Sequence, residues 1–151
     1  MLLLECGTHG GRSREEITIR QDGKSENSIL IVAAQPAASR WLQQCGGRGW
    51  SGIATGLCNK TAASLRAFSP TIVLTQDVLP DGTWRDVFQS AAAIRPEAVR
   101  VVCSGQSTLR LWMDVLAQGG RELLPEPCPD ELLVHVLSRY DRMKAERCAL
   151  A

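Results

Sequence analysis

The sequence predicts an α/β fold, a parallel sheet covered by helices on both faces, and three observations carry that expectation. Short apolar, β-branched runs at 28–32, 71–74 and 99–103 lack the polar alternation of a half-solvated strand, so they read as strands buried on both faces. Between them lie segments with apolar residues at helical spacing, each closed by glycine or proline. Strand and helix then alternate five times within 151 residues, a length that suits one domain with a full core and leaves little for a second.

The elements follow in chain order. Residues 1–27 are polar and glycine-rich, through Gly7, Thr8, His9, Gly10 and Gly11 and the charged stretch 12–16. They read as a flexible leader in which Ile17 and Ile19 leave room for a short strand. The compact domain is expected over 28–147, with a tail at 148–151. Its first strand, 28–32, runs into Ala33 and Ala34. Pro36 suits the first turn of a helix whose stripe is Trp41, Leu42 and Cys45, stopped at Gly46 and Gly47. A weaker strand at 50–55 is diluted by two glycines, and its Trp50 is expected to be partly exposed. Asn59 is placed to cap a helix bearing Ala62, Leu65 and Phe68.

The strand at 71–74 follows, and Pro80, Asp81 and Gly82 then force a tight turn. A helix at 84–94 aligns Trp84, Val87, Phe88 and Ala91 on one face before Arg95 and Pro96. A strand at 99–103 ends in Ser104 and Gly105. The next helix carries Leu109, Trp112, Met113, Val115 and Leu116 and stops at Gly119 and Gly120. A short strand at 122–124 precedes the last helix, 129 to about 147, with Leu132, Leu133, Val136, Leu137, Tyr140 and Met143 on one side. Five such units imply a doubly wound, flavodoxin-like sheet of five parallel strands in the order 2-1-3-4-5.

Composition excludes several classes of function. A formal charge of +1 with interspersed signs provides no field for nucleic acid or an acidic membrane surface. No apolar run approaches the ~18 residues of a membrane span, and the start, Met1 to Glu5, is too short and too soon acidic for a signal peptide. The six cysteines are scattered without a Cys-x-x-Cys pair, as expected of reduced thiols in a cytoplasmic protein. Neither His9 nor His135 has companions that would make a metal site.

In open α/β sheets, ligands and chemistry gather at the carboxyl ends of the strands. The central strand delivers Gln76 and Asp77 there, and its neighbour delivers Ser104. The sequence Thr75, Gln76, Asp77, Val78, Leu79, Pro80 resembles the third strand and loop of the response-regulator receiver domain, in which an aspartate stands four residues before the proline. Residues 101–105, Val-Val-Cys-Ser-Gly, are similar to that family's fourth strand. Residues 119–132 match the family pattern Gly-Ala-x-Asp-Tyr-Leu-x-Lys-Pro-Phe-x-x-Glu-Leu most closely. The resemblance covers 29 to about 140. The Leu79 to Trp84 phrase is similar to a group of short, stand-alone bacterial receivers.

The resemblance implies two-component, phosphorelay-type signalling, and the residues at its key positions depart from the chemistry. Phosphotransfer in that family uses a carboxylate nucleophile, an acidic pair holding Mg²⁺, a hydroxyl and a lysine. Here the acid pair is Ala33 and Ala34, the nucleophile position is Gln76, the hydroxyl is Ser104, and the lysine position before Pro127 is Glu126. An amide forms no acyl phosphate and two methyl groups bind no hard cation. A carboxylate at 126 repels an incoming phosphate by about 4 kcal/mol at ~4 Å and an effective dielectric near 20. Asp77 is no ready substitute, because strand alternation is expected to point it away from the pocket.

The expected function is therefore a degenerate receiver, neither an enzyme nor a user of a metal or cofactor. Its partner would be a protein, either a signalling kinase or regulator or a second copy of the chain. The resemblance places that contact on the face carrying Arg110, Leu123, Arg139 and Arg142, with Leu123 where receivers carry an aromatic switch residue. The alternative is a small-ligand module using a neutral pocket bounded by Ala33, Ala34, Gln76, Ser104 and Glu126. Cys45 and Cys103 read as core residues. Cys128 reads as the N-cap of the last helix with Glu131 three residues on, a position that lowers a thiol's pKa and invites redox sensitivity.

Overall fold

The computed structural model describes residues 2–6, 17–21 and 27–141. Five parallel strands form the centre of one sheet: β3 (Ser28–Val32), β4 (Ser51–Thr55), β5 (Ile72–Gln76), β8 (Val99–Ser104) and β9 (Glu122–Pro125). Their order, β4-β3-β5-β8-β9, is the expected 2-1-3-4-5. The segment expected as a leader holds the short strand allowed for at Ile17 and Ile19. Within it β1 (Leu2–Cys6) and β2 (Ile17–Gln21) form an antiparallel pair, and β2 adds antiparallel to the free edge of β4. The sheet thus has seven strands. The edge of β4 presents unpaired backbone groups, and the β-branched Ile17, Thr18 and Ile19 suit a strand that covers them. A separate two-residue hairpin, β6 (Val78–Leu79) with β7 (Gly82–Thr83), makes the turn after β5.

Strand alternation divides the core. Ile29, Ile31, Ile72, Leu74, Val101 and Cys103 pack with α1 (Ala37–Gly46) and α5 (Asp130–Arg139) on one face. Leu30, Val32 and Val73 pack with α2 (Thr61–Ala67) and α3 (Trp84–Ile94) on the other. Val102 joins Trp84 and Phe88 of α3, in edge-on contact at 5.0 Å, and Val115 of α4 (Leu109–Ala117). The β4 glycine at 52 has a packing reason: a Cβ there would stand 2.5 Å from Leu42 Cδ1 of α1.

Several local expectations change. Trp50 is buried, only 2% exposed, because it precedes β4 under α1 and α5. Asn59 caps nothing: it lies within a 3₁₀ turn, Cys58–Lys60, and Lys60 precedes α2 without a side-chain cap. Cys128 is not the N-cap of α5. Pro129 holds that place with extended backbone and no side-chain cap, while Cys128 turns into the core. The expected helix beyond Asp141, including Arg142 and Met143, lies outside the described residues. The stripe on α4 is mostly outward: Val115 alone of the helix is buried, Trp112 is half-buried, and Leu109, Met113 and Leu116 are 73%, 60% and 46% exposed.

Candidate functional site at the carboxyl edge of the sheet

Strand register brings the predicted positions to one edge. Val32 lies opposite Thr75, Gln76 opposite Cys103, and Ser104 opposite Pro125, so Ala33, Gln76, Ser104 and Glu126 emerge together. Gln76 is buried at the end of β5 and ties two of the others to itself. Its Oε1 accepts from the Ala34 backbone N–H at 2.7 Å, and its Nε2 donates to Glu126 Oε1 at 2.6 Å. The Glu126 N–H in turn donates to the Ser104 carbonyl at 3.0 Å. This is work for an amide. One end must accept from an N–H and the other must donate to a carboxylate, which a carboxylate at 76 could not do. Glu126–Pro127 is a cis peptide.

Asp77 does not point away from this edge. Strand geometry ends at Gln76; the chain then turns, with the Asp77 N–H donating to the Cys103 carbonyl at 3.1 Å and the Trp84 N–H to the Asp77 carbonyl at 3.0 Å. The alternation rule no longer applies there. The Asp77 carboxylate reaches the end of β8, where Ser104 Oγ donates to Oδ2 at 2.7 Å, and Oδ1 accepts from the Val78 N–H at 3.0 Å. Ser104 Oγ also accepts from the Gln106 N–H at 2.9 Å. The edge therefore holds two polar clusters, Ala34–Gln76–Glu126 and Asp77–Ser104–Gln106.

These donors do not fit the Mg²⁺ of a receiver. Ala33 and Ala34 supply no carboxylate at the end of β3, and Glu126 and Asp77 are bound into different clusters. Among the described residues no three His, Cys, Asp or Glu side chains gather into a metal-binding group. Among the residues expected to bound a neutral pocket, Gln76 spans the space between Ala34 and Glu126. One flanking cavity, about 140 Å³, is lined by Ala33, Ala34, Gln35, Gly56, Leu57 and Pro80. Another, about 220 Å³, is lined in part by Asp77, Arg85, Gln106 and Thr108. Neither includes Gln76, Ser104 or Glu126.

Two supports escaped the sequence reading. Asp81 is more than a turn residue: its oxygens accept from the Cys58 and Asn59 N–H groups at 2.7 and 3.0 Å, tying the loop after β5 to the 3₁₀ turn. Those N–H bonds hold its carboxyl below the usual carboxylate range. No short-range pattern reveals a contact over that separation. Thr83 and Asp86 form a capping box at the start of α3, and there the Thr-x-x-Asp signal was in plain view.

On the expected partner face, Arg110 is exposed, as are the apolar residues of α4. Leu123 is half-buried against the Trp84, Phe88, Val102 and Val115 cluster. Arg139 Nη1 is paired to Glu122 Oε1 at 2.9 Å. Arg142 lies outside the described residues. Among the described residues no helix is long and apolar enough to cross a membrane.

The fold is that of response-regulator receiver domains. The chain is similar to the CheY-like receiver domain protein of Methanospirillum hungatei, with TM-score 0.70 and 20% identity over 80% of this chain and 98% of that one. It is similar also to the receiver domain of a putative LuxO repressor protein from Vibrio parahaemolyticus, TM-score 0.72 and 13% identity over 85% and 99%. The non-phosphorylated HemR receiver domain of Leptospira biflexa gives TM-score 0.70 and 14% identity over 78% and 95%. No protein-family model matches the sequence, and no curated protein matches it significantly.

Proposed function

We propose that the chain is a degenerate receiver that serves two-component signalling through protein contacts, without aspartyl phosphorylation. The observation that carries this reading is the Gln76 clasp. At the position of the phosphoacceptor stands an amide with one end bonded to Ala34 N–H and the other to Glu126. An amide nitrogen or oxygen in that state neither attacks a phosphodonor nor leaves room for a metal-bound phosphoryl group. The hydroxyl of Ser104 is turned to Asp77, so the group that receives a phosphoryl oxygen in receivers is already engaged. The contact surface is the outward face of α4, where Leu109, Met113 and Leu116 stand exposed beside Arg110. Its partner is a signalling protein or a second copy.

The test is incubation with Mg²⁺ and acetyl phosphate, followed by intact-mass measurement and amide chemical shifts. The expected result is no phosphoryl increment and unmoved signals at Gln76, Ser104 and Glu126. Phosphate found on Asp77 would overturn the reading.

A further inference from the structure

The sheet has two open ends, β1 at one and β9 at the other. Among the described residues each pairs on one side only, β1 with β2 and β9 with β8. An open edge presents a row of backbone N–H and C=O groups ready to bond another strand, and edge strands are ordinarily protected by charge, proline, a bulge or brevity. β9 has such protection. It is four residues long, closes on Pro125, which has no N–H to offer, and carries Glu122 in an ion pair with Arg139 at 2.9 Å. β1 has little. Its five residues, Leu-Leu-Leu-Glu-Cys, include no proline and no basic residue, and their ladder with β2 runs from Leu2 opposite Gln21 to Cys6 opposite Ile17 without a bulge. Leucine at three consecutive positions places apolar residues at both parities of the strand, the pattern of a strand inside a sheet instead of at its rim.

We infer that the β1 edge docks the β1 edge of a second copy of this chain, antiparallel about a two-fold axis, so that the two sheets join into one. An antiparallel edge is self-complementary under such an axis, because each strand offers the other the same alternation of donors and acceptors. Only an axis at Leu4 pairs all five residues of the strand. Leu4 then faces its own counterpart, Leu2 faces Cys6, and Leu3 faces Glu5. Glu5 never opposes Glu5, so the register contains no directly opposed like charges. Five residues a side, against the roughly 20–30 of a standard interface, make this a weak dimer that forms with rising concentration. The inference is independent of the surface assigned to α4, which packs beside β8 and β9 at the opposite end of the sheet.

The experiment is sedimentation velocity on the full chain from micromolar to millimolar concentration, with amide hydrogen exchange measured over the same series. The expected result is a monomer–dimer equilibrium in which exchange at residues 2–6 slows as the dimer forms. Leu4→Cys should give a covalent dimer on mild oxidation, mapped to position 4, since directly opposed Cα atoms lie about 4.5–5.5 Å apart, within disulfide reach. Leu4→Lys opposes two like charges on the axis and should weaken the dimer by about tenfold or more. A chain that is monomeric throughout, or whose exchange at 2–6 is the same in monomer and dimer, overturns the inference; these arms need no variant to fold. A dimer that survives Leu4→Lys and is lost in Leu109→Glu with Met113→Glu is seated on α4 and overturns it as well. Slowed exchange at 2–6 only when cell extract is added, with the chain alone monomeric, assigns the edge to an extended segment of another protein and overturns the self-pairing.

Discussion

Gln76 satisfies an N–H and a carboxylate at once, and the consequences of changing it follow from that pairing. Gln76→Glu would set a second carboxylate against Glu126 at the 2.6 Å now spanned by the amide donor. We expect a loss of roughly 1–3 kcal/mol, the cost of an unsatisfied buried polar pair, read by urea denaturation at neutral pH. Wild-type stability in that variant would refute the clasp. Gln76→Asp alone should not take up phosphate, because Ala33 and Ala34 still hold no metal and Glu126 still repels the anion. The combined Ala33→Asp, Ala34→Asp, Gln76→Asp, Glu126→Lys chain regains each group the reaction requires, and mass spectrometry with acetyl phosphate and Mg²⁺ distinguishes the two. Asp81 supplies a pH dependence of known sign. Its folded pKa lies below the unfolded value of about 3.9, so its contribution is complete above that value and lost as pH falls through the folded pKa. Asp81→Asn should flatten the acid limb of the stability curve below about pH 4, and an unchanged limb would show that the Cys58 and Asn59 bonds do not couple to folding.

Elements were legible wherever a local signal set them. The buried runs at β3, β5 and β8 and the glycine stop of α4 are written in single segments. At that stop Gly119 has φ +88, its N–H donates to Leu116 O at 3.1 Å, and the Gly120 N–H donates to Val115 O at 2.8 Å. Gly119→Ala should cost about 1–2 kcal/mol from the left-handed backbone, while the Arg100 guanidinium end, 2.6 Å from the new Cβ, has only to swing aside; a thermal melt matching wild type would contradict it. Thr83→Ala removes the capping box of α3 and should cost about 1 kcal/mol by the same measurement. What was not legible depends on partners far along the chain. The β1–β2 pair needed the free edge of β4, and polar composition masked it. Trp50 needed α5 above it. At the site the residue identities were readable from motif spacing, but their bonds were not: alternation misplaced Asp77 because the strand ended one residue before it, and nothing local foretold that Gln76 would bridge Ala34 to Glu126. Amphipathic spacing on α4 marked a helix correctly, but periodicity reports that a stripe exists and not what covers it.

At the scale of the whole molecule, the sheet is closed by α1 and α5 on one side and by α2 and α3 on the other, while α4 buries Val115 alone. Leu109, Met113 and Leu116 fall at helical spacing along its outer surface, an apolar strip beside Arg110. Replacing two of them, Leu109→Glu with Met113→Glu, should leave folding stability within about 0.5 kcal/mol, because neither side chain fills the core. The same change should abolish partner capture or self-association if this strip is the contact. Reversing Arg139 is a poorer probe, since the residue is already paired to Glu122 at 2.9 Å and its loss would disturb the join of α5 to β9. Arg110→Glu, at an exposed position without an ion pair among the described residues, should weaken association by the charge alone, and more at low salt than at high. Light scattering across a concentration series tests the second-copy version, and titration of the isolated partner tests the other. Undiminished association in the Leu109→Glu, Met113→Glu chain, with its melting transition intact, would remove α4 from the contact and with it the surface assigned to the signalling role.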